Sequence, residues 1–276
     1  MVTNPLPATA TAGQNPKAPP SAFATMLGNS RKELSLLGLL LVLCVIVAVM
    51  NNNFLNPTNL QNIARLVGLY GIFSIGLGVV IITGGIDLSV GSVFALGGVI
   101  LAMMLTEWHW APPLAILASL ALTMALGLIH GLLITRIPLQ PFIVTLCGLL
   151  FYRGLARFIS GDETKGFGDG AGFTGLMALA TGNVAGVPMP FVVLIVLSVV
   201  MWVFLHRSVF GRHLFAVGRN EEAAKYSGIN VKFVITSVYV LSGLLAGLAG
   251  ILIAFYTNSI SPSSHGNSYE LYAIAA

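Results

Sequence analysis

Charged side chains are missing from seven long stretches of the chain: residues 34–64, 66–86, 88–106, 108–135, 137–152, 170–206 and 233–269. A helix needs about 20 mostly apolar residues to cross the hydrocarbon core of a bilayer, and a continuous helix satisfies its own backbone there. The pattern predicts helical spans at about 34–50, 63–83, 88–106, 113–134, 138–159, 189–206 and 233–257. The expected fold is all-α, a polytopic integral membrane helix bundle with about seven transmembrane helices. Residues 1–33 carry Pro5, Pro7, Pro16, Pro19 and Pro20 among Ala, Thr and Asn, and read as a disordered cytoplasmic tail. The opening residues lack a basic segment followed by an apolar core, so no cleavable signal peptide is visible and the first span is expected to act as its own insertion signal. Residues 34–276 then form one transmembrane domain.

Composition agrees with this reading. Only 8% of the 276 residues are charged, 56% are hydrophobic, and the mean hydropathy is +0.91. An ordinary soluble domain carries about 25% charged residues, so a soluble enzyme, a nucleic-acid binder and a disordered protein are all excluded as classes. The net charge of +4 is better explained by basic residues gathered at one membrane face. With the tail cytoplasmic, the inner faces hold Lys17, Arg31, Lys32, Arg136, Arg207, Arg212, Arg219, Lys225 and Lys232, against Arg65, Arg153, Arg157 and Lys165 outside. That asymmetry orients the chain. Cys44 and Cys147 both lie in apolar runs, which supports neither a disulfide framework nor a metal site.

Few polar residues are placed where they can do chemistry. Asp87 lies in Thr83-Gly84-Gly85-Ile86-Asp87-Leu88-Ser89-Val90-Gly91, between the second and third spans. A carboxylate there belongs at an interface, in a cavity or in a pairing. Two readings stand: a broken or re-entrant element lining a translocation path, or a tight cytoplasmic turn with Asp87 as N-cap. Ser89 is a candidate cap for the following helix. His130, within the fourth span, is a functional candidate or a hydrogen-bonding link between helices, and Gly127 and Gly131 beside it point to close packing. Arg153 and Arg157, one turn apart near the outer end of the fifth span, are expected to snorkel to the interface, with a secondary role in ushering a polar solute. Small residues at 243/247 and 246/250 mark packing faces on the seventh span.

The Gly-rich segment 160–188 reads as a flexible extracytoplasmic loop. No Lys in the chain directly follows a Gly, so it contains no nucleotide-binding G-x-x-x-x-G-K-[ST] pattern. In the inner loop 207–232, Asn220 is placed to cap a short helix whose first turn holds Glu221 and Glu222, and Gly228 sits where that helix should stop. This helix is suited either to docking into a partner's groove or to lying solvated on a positive inner face.

These residues resemble a family. Glu222-Ala223-Ala224-x-x-x-Gly228 is similar to the EAA coupling motif of ATP-binding-cassette importer permeases. The segment 83–91 resembles the hallmark of their sugar branch, which includes ribose, xylose, arabinose and galactofuranose permeases. Gln140–Leu146, Arg153–Ala156, Tyr239–Gly243 and Tyr269–Ala275 fit the same branch, and the resemblance runs from about residue 34 to the end. It implies a permease subunit that forms the path for a monosaccharide, a pentose or hexose, in the bacterial plasma (inner) membrane. The implied partners are a cytoplasmic ATP-binding subunit docked at Asn220, Glu221, Glu222, Ala223, Ala224 and Gly228, a periplasmic or lipoprotein sugar-binding protein, and a second permease subunit of the same or a different chain. The path is assigned to Gly84, Gly85, Asp87, Ser89, His130 and Arg153. The chain itself would hydrolyse nothing and need no cofactor, metal or nucleic acid; membrane lipid is its remaining partner.

Two departures from the family pattern stand out. Position 130 is commonly Asn, and His130 here is expected to tune substrate or pH response. Relatives continue past the Tyr269–Ala276 stretch into a second Gly-rich Ser-Leu-Ser segment and further helices, so the chain is expected to lack C-terminal helices of the family. By span parity, Ile260–Ala276 falls outside the membrane, although its apolar end looks like the start of another helix. Three alternatives remain. An ion-coupled secondary transporter would use Asp87 or His130 for coupling, but such proteins often pair broken helices in two halves and no second copy of the 83–91 pattern occurs. An intramembrane enzyme would need a nucleophile and base on facing helices, where Asp87 and His130 form no recognised motif. A branched-chain amino-acid permease of the same superfamily is the third.

Overall fold

The computed structural model describes residues 22–168 and 174–275. It divides into two units, residues 1–56 and 57–276. The first holds one helix, α1 (Ala22–Met50), apolar throughout Leu34–Met50. This helix starts inside the stretch expected as a disordered tail, so residues 22–33 are helical; the tail's residues 1–21 lie outside the described residues.

The second unit is a helix bundle. Five of its helices are long and apolar enough to cross a membrane: α2 (Pro57–Ile82), α4 (Pro112–Arg136), α5 (Pro141–Ser160), α7 (Met189–Arg207) and α10 (Val231–Tyr256). Proline opens three of them and follows Met189 in the fourth. The first helical turn has no use for the missing N–H, and the fixed φ suits it. The chain is a multi-pass membrane protein.

At the centre runs α3 (Val90–Thr106), in which every residue but Ile100 and Thr106 is buried. It packs against α4, α5 and α10, and its Phe94 meets Phe73 of α2 edge-on at 6.2 Å. The small residues do what their spacing suggested. Gly127 and Gly131 of α4 meet the α10 backbone at Tyr239 and Thr236, and Gly243 and Gly247 of α10 meet Thr123 of α4.

The third span departs from its expected course. At 17 residues α3 rises only about 26 Å, and its first turn lies inside the bundle. The partners of the segment before it show the depth: Tyr239, bonded to Ile86, follows the start of α10 by about 12 Å of helix, and Ser242, bonded to Asp87, by about 17 Å. Residues 83–89 therefore climb from the end of α2 into the bundle before α3 begins.

The end of the chain mirrors this. After α10, β4 (Ser259–Ile260) pairs antiparallel with β1 (Lys165–Gly166). The chain then turns back through 261–268 to α11 (Tyr269–Ala275). Ile260 is fully buried, and Tyr269 stacks on Phe73 at 5.7 Å and meets Phe94 edge-on at 5.3 Å. Residues 260–275, placed outside the membrane by parity, thus pack into the bundle. The cause is their own apolar surface, which needs burial, and the backbone contact that Gly266 makes with Gly91.

Both loops carry more structure than expected. Segment 160–188 contains β1, α6 (Thr174–Thr181) and a hairpin of β2 (Asn183–Val184) with β3 (Val187–Pro188); its residues 169–173 lie outside the described residues. Phe167 stacks on Phe255 at 5.0 Å, and Lys165 pairs with Glu107 at 3.0 Å. Arg65 reaches Thr181 O at 3.2 Å and Asn183 Oδ1 at 3.3 Å. These contacts replace the flexible loop with a docked cover. In the other loop, α8 (Val209–Arg219) precedes the expected short helix, α9 (Glu221–Tyr226). It is amphipathic, with Leu214 and Val217 buried and Arg212 and Arg219 exposed.

Candidate functional site

The Thr83-Gly84-Gly85 turn is the C-terminal cap of α2. The carbonyl of Val80 accepts from Thr83 N–H, the Thr83 hydroxyl and Gly85 N–H, and that of Ile81 from Gly84 N–H. Gly84 adopts φ +78°, the left-handed conformation that favours glycine at this position. The chain then leaves in an extended course, held by the Tyr239 hydroxyl, which donates to Ile86 O at 3.2 Å.

Asp87 follows, only 3% exposed. One carboxylate oxygen accepts from Ser89 N–H at 3.0 Å and the Ser89 hydroxyl at 2.6 Å; the other accepts from the Ser242 hydroxyl of α10 at 2.9 Å. Because Ser89 gives its proton to Asp87, its oxygen is the acceptor for His130 Nδ1 at 3.3 Å. His130 Nε2 then accepts from the Tyr152 hydroxyl at 3.0 Å. The resulting chain, Tyr152 to His130 to Ser89 to Asp87, joins α5, α4, the re-entrant segment and, through Ser242, α10. The carboxylate is stabilised by three hydrogen bonds and by the nearby N-terminus of α3, whose peptide dipole favours negative charge.

Of the two readings of Asp87, the geometry is that of the re-entrant element and not of a tight surface turn. Ser89 stands at the N-cap position of α3 but makes no side-chain cap, because its hydroxyl is turned to Asp87. His130 links helices as its glycine neighbours suggested, and Gly148 of α5 leaves the room its ring occupies.

Gly84, Gly85, Asp87, Ser89 and His130 therefore belong to one cluster. Arg153 does not: it is half-buried and donates to Pro262 O at 2.8 Å, His265 O at 2.6 Å and Gly91 O at 3.4 Å. The snorkelling expected of it is replaced by a clamp on the carbonyls of Pro262 and His265. Arg157 does remain exposed, in a two-bonded pair with Asp162 at 2.7 and 2.8 Å that holds the Asp162 carboxyl below its usual range. Tyr152, Tyr239 and Ser242 were missed as members of the cluster. Polar groups in otherwise apolar helices were their only signal, and that signal names no partner.

Beneath the cluster lies a cavity of about 580 Å³, bordered by Thr83, Gly85, Thr135, Gln140, Glu221, Lys232 and Tyr239. It opens beside α9, where Asn220 caps the helix through Ala223 N–H at 2.9 Å. Gly228 ends that helix at φ +82°, and the N–H groups of Gly228 and Ile229 close back on Lys225 and Ala224. Glu221 faces the cavity, while Glu222, Ala223 and Ala224 complete the short helix. Among the described residues, no three His, Cys, Asp or Glu converge as a metal site needs.

Comparisons with known proteins agree with this architecture. The ribose import permease protein of Bacillus subtilis (strain 168) is 40% identical over 238 residues, 86% of this chain and 72% of that protein. The ribose import permease protein of Escherichia coli (strain K12) is 38% identical over 239 residues, 86% and 73% of the two chains. The D-allose transport system permease protein of the same strain is 32% identical over 243 residues, 87% and 73%. No solved structure matches. A family profile matches residues 59–276, the whole of the helix bundle and the site within it. The chain therefore belongs to the family described as branched-chain amino acid transport system, permease component.

Proposed function

We propose that this chain is the membrane-spanning permease subunit of an ATP-driven importer for a monosaccharide, a pentose or hexose. One observation carries the reading: relatives aligned over most of the chain are named as import permeases for ribose, allose, fructose and galactofuranose. These are all neutral polyols. The family description names branched-chain amino acids, but these relatives are named for sugars, and neither an amino-acid substrate nor ion coupling gains support from them. In this reading the N-terminus and the 207–232 loop are cytoplasmic, and the membrane is the bacterial plasma membrane. A separate ATP-binding subunit docks on Asn220, Glu221, Glu222, Ala223, Ala224 and Gly228 and performs the hydrolysis. A sugar-binding protein delivers the substrate outside, and a second permease subunit completes the path. Gly84, Gly85, Asp87, Ser89 and His130 form the gate of that path, with Arg153 holding the segment opposite. The test is uptake into proteoliposomes containing the chain with its ATP-binding and binding-protein partners. Uptake of a pentose or hexose that requires ATP is expected; uptake of leucine instead, or sugar uptake driven by an ion gradient without ATP, would refute the reading.

A further inference from the structure

At the end of the bundle opposite α9, a second cavity of about 240 Å³ opens between α5 and the returning segment 261–270. Its polar wall is formed by Arg153, Arg157, Asn267 and Glu270, and Leu149 and Leu150 provide an apolar side. Glu270 is 8% exposed, yet its Oε2 has no hydrogen-bond partner among the described residues. A buried carboxylate oxygen without a donor is costly and rare, and asks for an explanation. Arg153 does not supply the donor, because its guanidinium is engaged by the carbonyls of Pro262, His265 and Gly91. Arg157 is engaged by Asp162.

The geometry points to this cavity as a binding site for a single monosaccharide on its way to the gate, an inference that rests on the importer reading above. Its chemistry selects the ligand class. Two guanidinium groups on the wall disfavour a cation, and the unpaired Glu270 oxygen disfavours an anion. A neutral polyol satisfies both: a sugar hydroxyl donates to the Glu270 carboxylate, other hydroxyls accept from the Asn267 amide, and the C–H edge lies on Leu149 and Leu150. The volume is below the roughly 300–1,000 Å³ of drug-sized sites, which suits one sugar ring and not an oligosaccharide. Position fits as well. Gly266, on the cavity wall, touches Gly91, so the site sits directly against the start of α3, on the far side of the segment that carries Asp87.

The test is protection of a cysteine from modification. Ser263 is exposed on the cavity rim, so S263C, in a background with Cys44 and Cys147 replaced, is reacted with a small thiol reagent in the nanodisc-embedded transporter with its partner subunits. The probes are D-ribose, D-allose, D-fructose and D-galactose at millimolar concentration. At least one is expected to slow modification fivefold or more, with no effect on a control cysteine at Thr164. E270Q should abolish most of that protection. N267A, at an exposed position, should weaken it several-fold and gives the same comparison should E270Q lower protein yield. Absence of protection by all four sugars, or equal protection in E270Q and N267A, overturns the site. ATP-dependent uptake by the same preparation judges the importer reading separately, because protection reports occupancy without turnover.

Discussion

Replacing Ser242 by Ala removes one hydrogen bond from the buried Asp87 carboxylate and little else. Ser242 is 1% exposed, and alanine is smaller, so no clash arises. The remaining donors, the Ser89 N–H and hydroxyl, already bond the other carboxylate oxygen. A hydrogen bond to a charged group contributes about 1.5–3 kcal/mol in proteins generally, whereas interhelical bonds in membranes average about 0.6 with a maximum near 1.7. A charged, buried acceptor belongs at the upper end of the membrane range, so a loss of about 1.5 kcal/mol is expected, roughly tenfold in the folding equilibrium. The decisive measurement is a double-mutant cycle with Asp87→Ala, read by reversible unfolding in mixed detergent micelles. In the Asp87→Ala background the Ser242 hydroxyl has lost its acceptor, and Ser242→Ala should then be nearly neutral. Asp87→Asn keeps the shape and one acceptor, and is expected to cost less than Asp87→Ala while lowering uptake. If Ser242→Ala costs the same with and without Asp87, the two groups are not coupled and the network described here does not hold the re-entrant segment.

Four further outcomes are expected. With Cys44 and Cys147 replaced, a cysteine at Thr164 should react with an impermeant reagent in intact cells and one at Ser227 should not; the reverse would overturn the orientation. Glu222→Lys, or Gly228→Leu at a φ of +82° where a side chain costs about 1–2 kcal/mol, should reduce co-purification of the ATP-binding subunit while leaving membrane insertion intact, and wild-type recovery of that subunit with both variants would refute the coupling role. Arg153→Lys replaces a fork that reaches three carbonyls with a single ammonium, so amide exchange across 261–268 should quicken about tenfold, a loss of about 1.4 kcal/mol, and unchanged exchange would show that the clamp is not needed. Asp162 has its pKa lowered by the Arg157 hydrogen bonds; the pair is therefore fully formed above the unfolded value near 3.9 and lost only as pH falls through the lower folded value, so amide protection at the C-terminal end of α5, taken relative to the intrinsic exchange rate at each pH, should be flat from pH 7 to 5, and a transition within that window would contradict the pairing.

The membrane class and the long apolar helices were legible in the chain itself, because hydrophobic burial in a bilayer demands long uncharged runs whatever their neighbours. Local punctuation was partly legible from side-chain and backbone chemistry: Asn220 and Gly228 bound α9 as expected. Asp87, Ser89 and His130 stood out because polar groups are rare in such runs, but their partners lay far off in sequence. Ser242 is 155 residues from Asp87, and Tyr152 is 22 from His130; no local pattern encodes a pairing across helices. The re-entrant course of 83–91 stood as one of two readings, and that of the second segment escaped for a related reason. Residues 83–91 and 259–268 share no motif, and counting spans assigned the second to the exterior by parity. Their common course is decided by tertiary packing: Ile260 and Tyr269 bury apolar surface against α2 and α3, Arg153 gathers the carbonyls of 262 and 265, and Gly91 and Gly266 let the two backbones touch. Hydropathy alone determined that this chain crosses a membrane repeatedly. Which of its segments turn back inside the bundle, and which polar groups they meet there, only the packed structure could decide, because those contacts gain their energy from groups that become neighbours only once the helices are assembled.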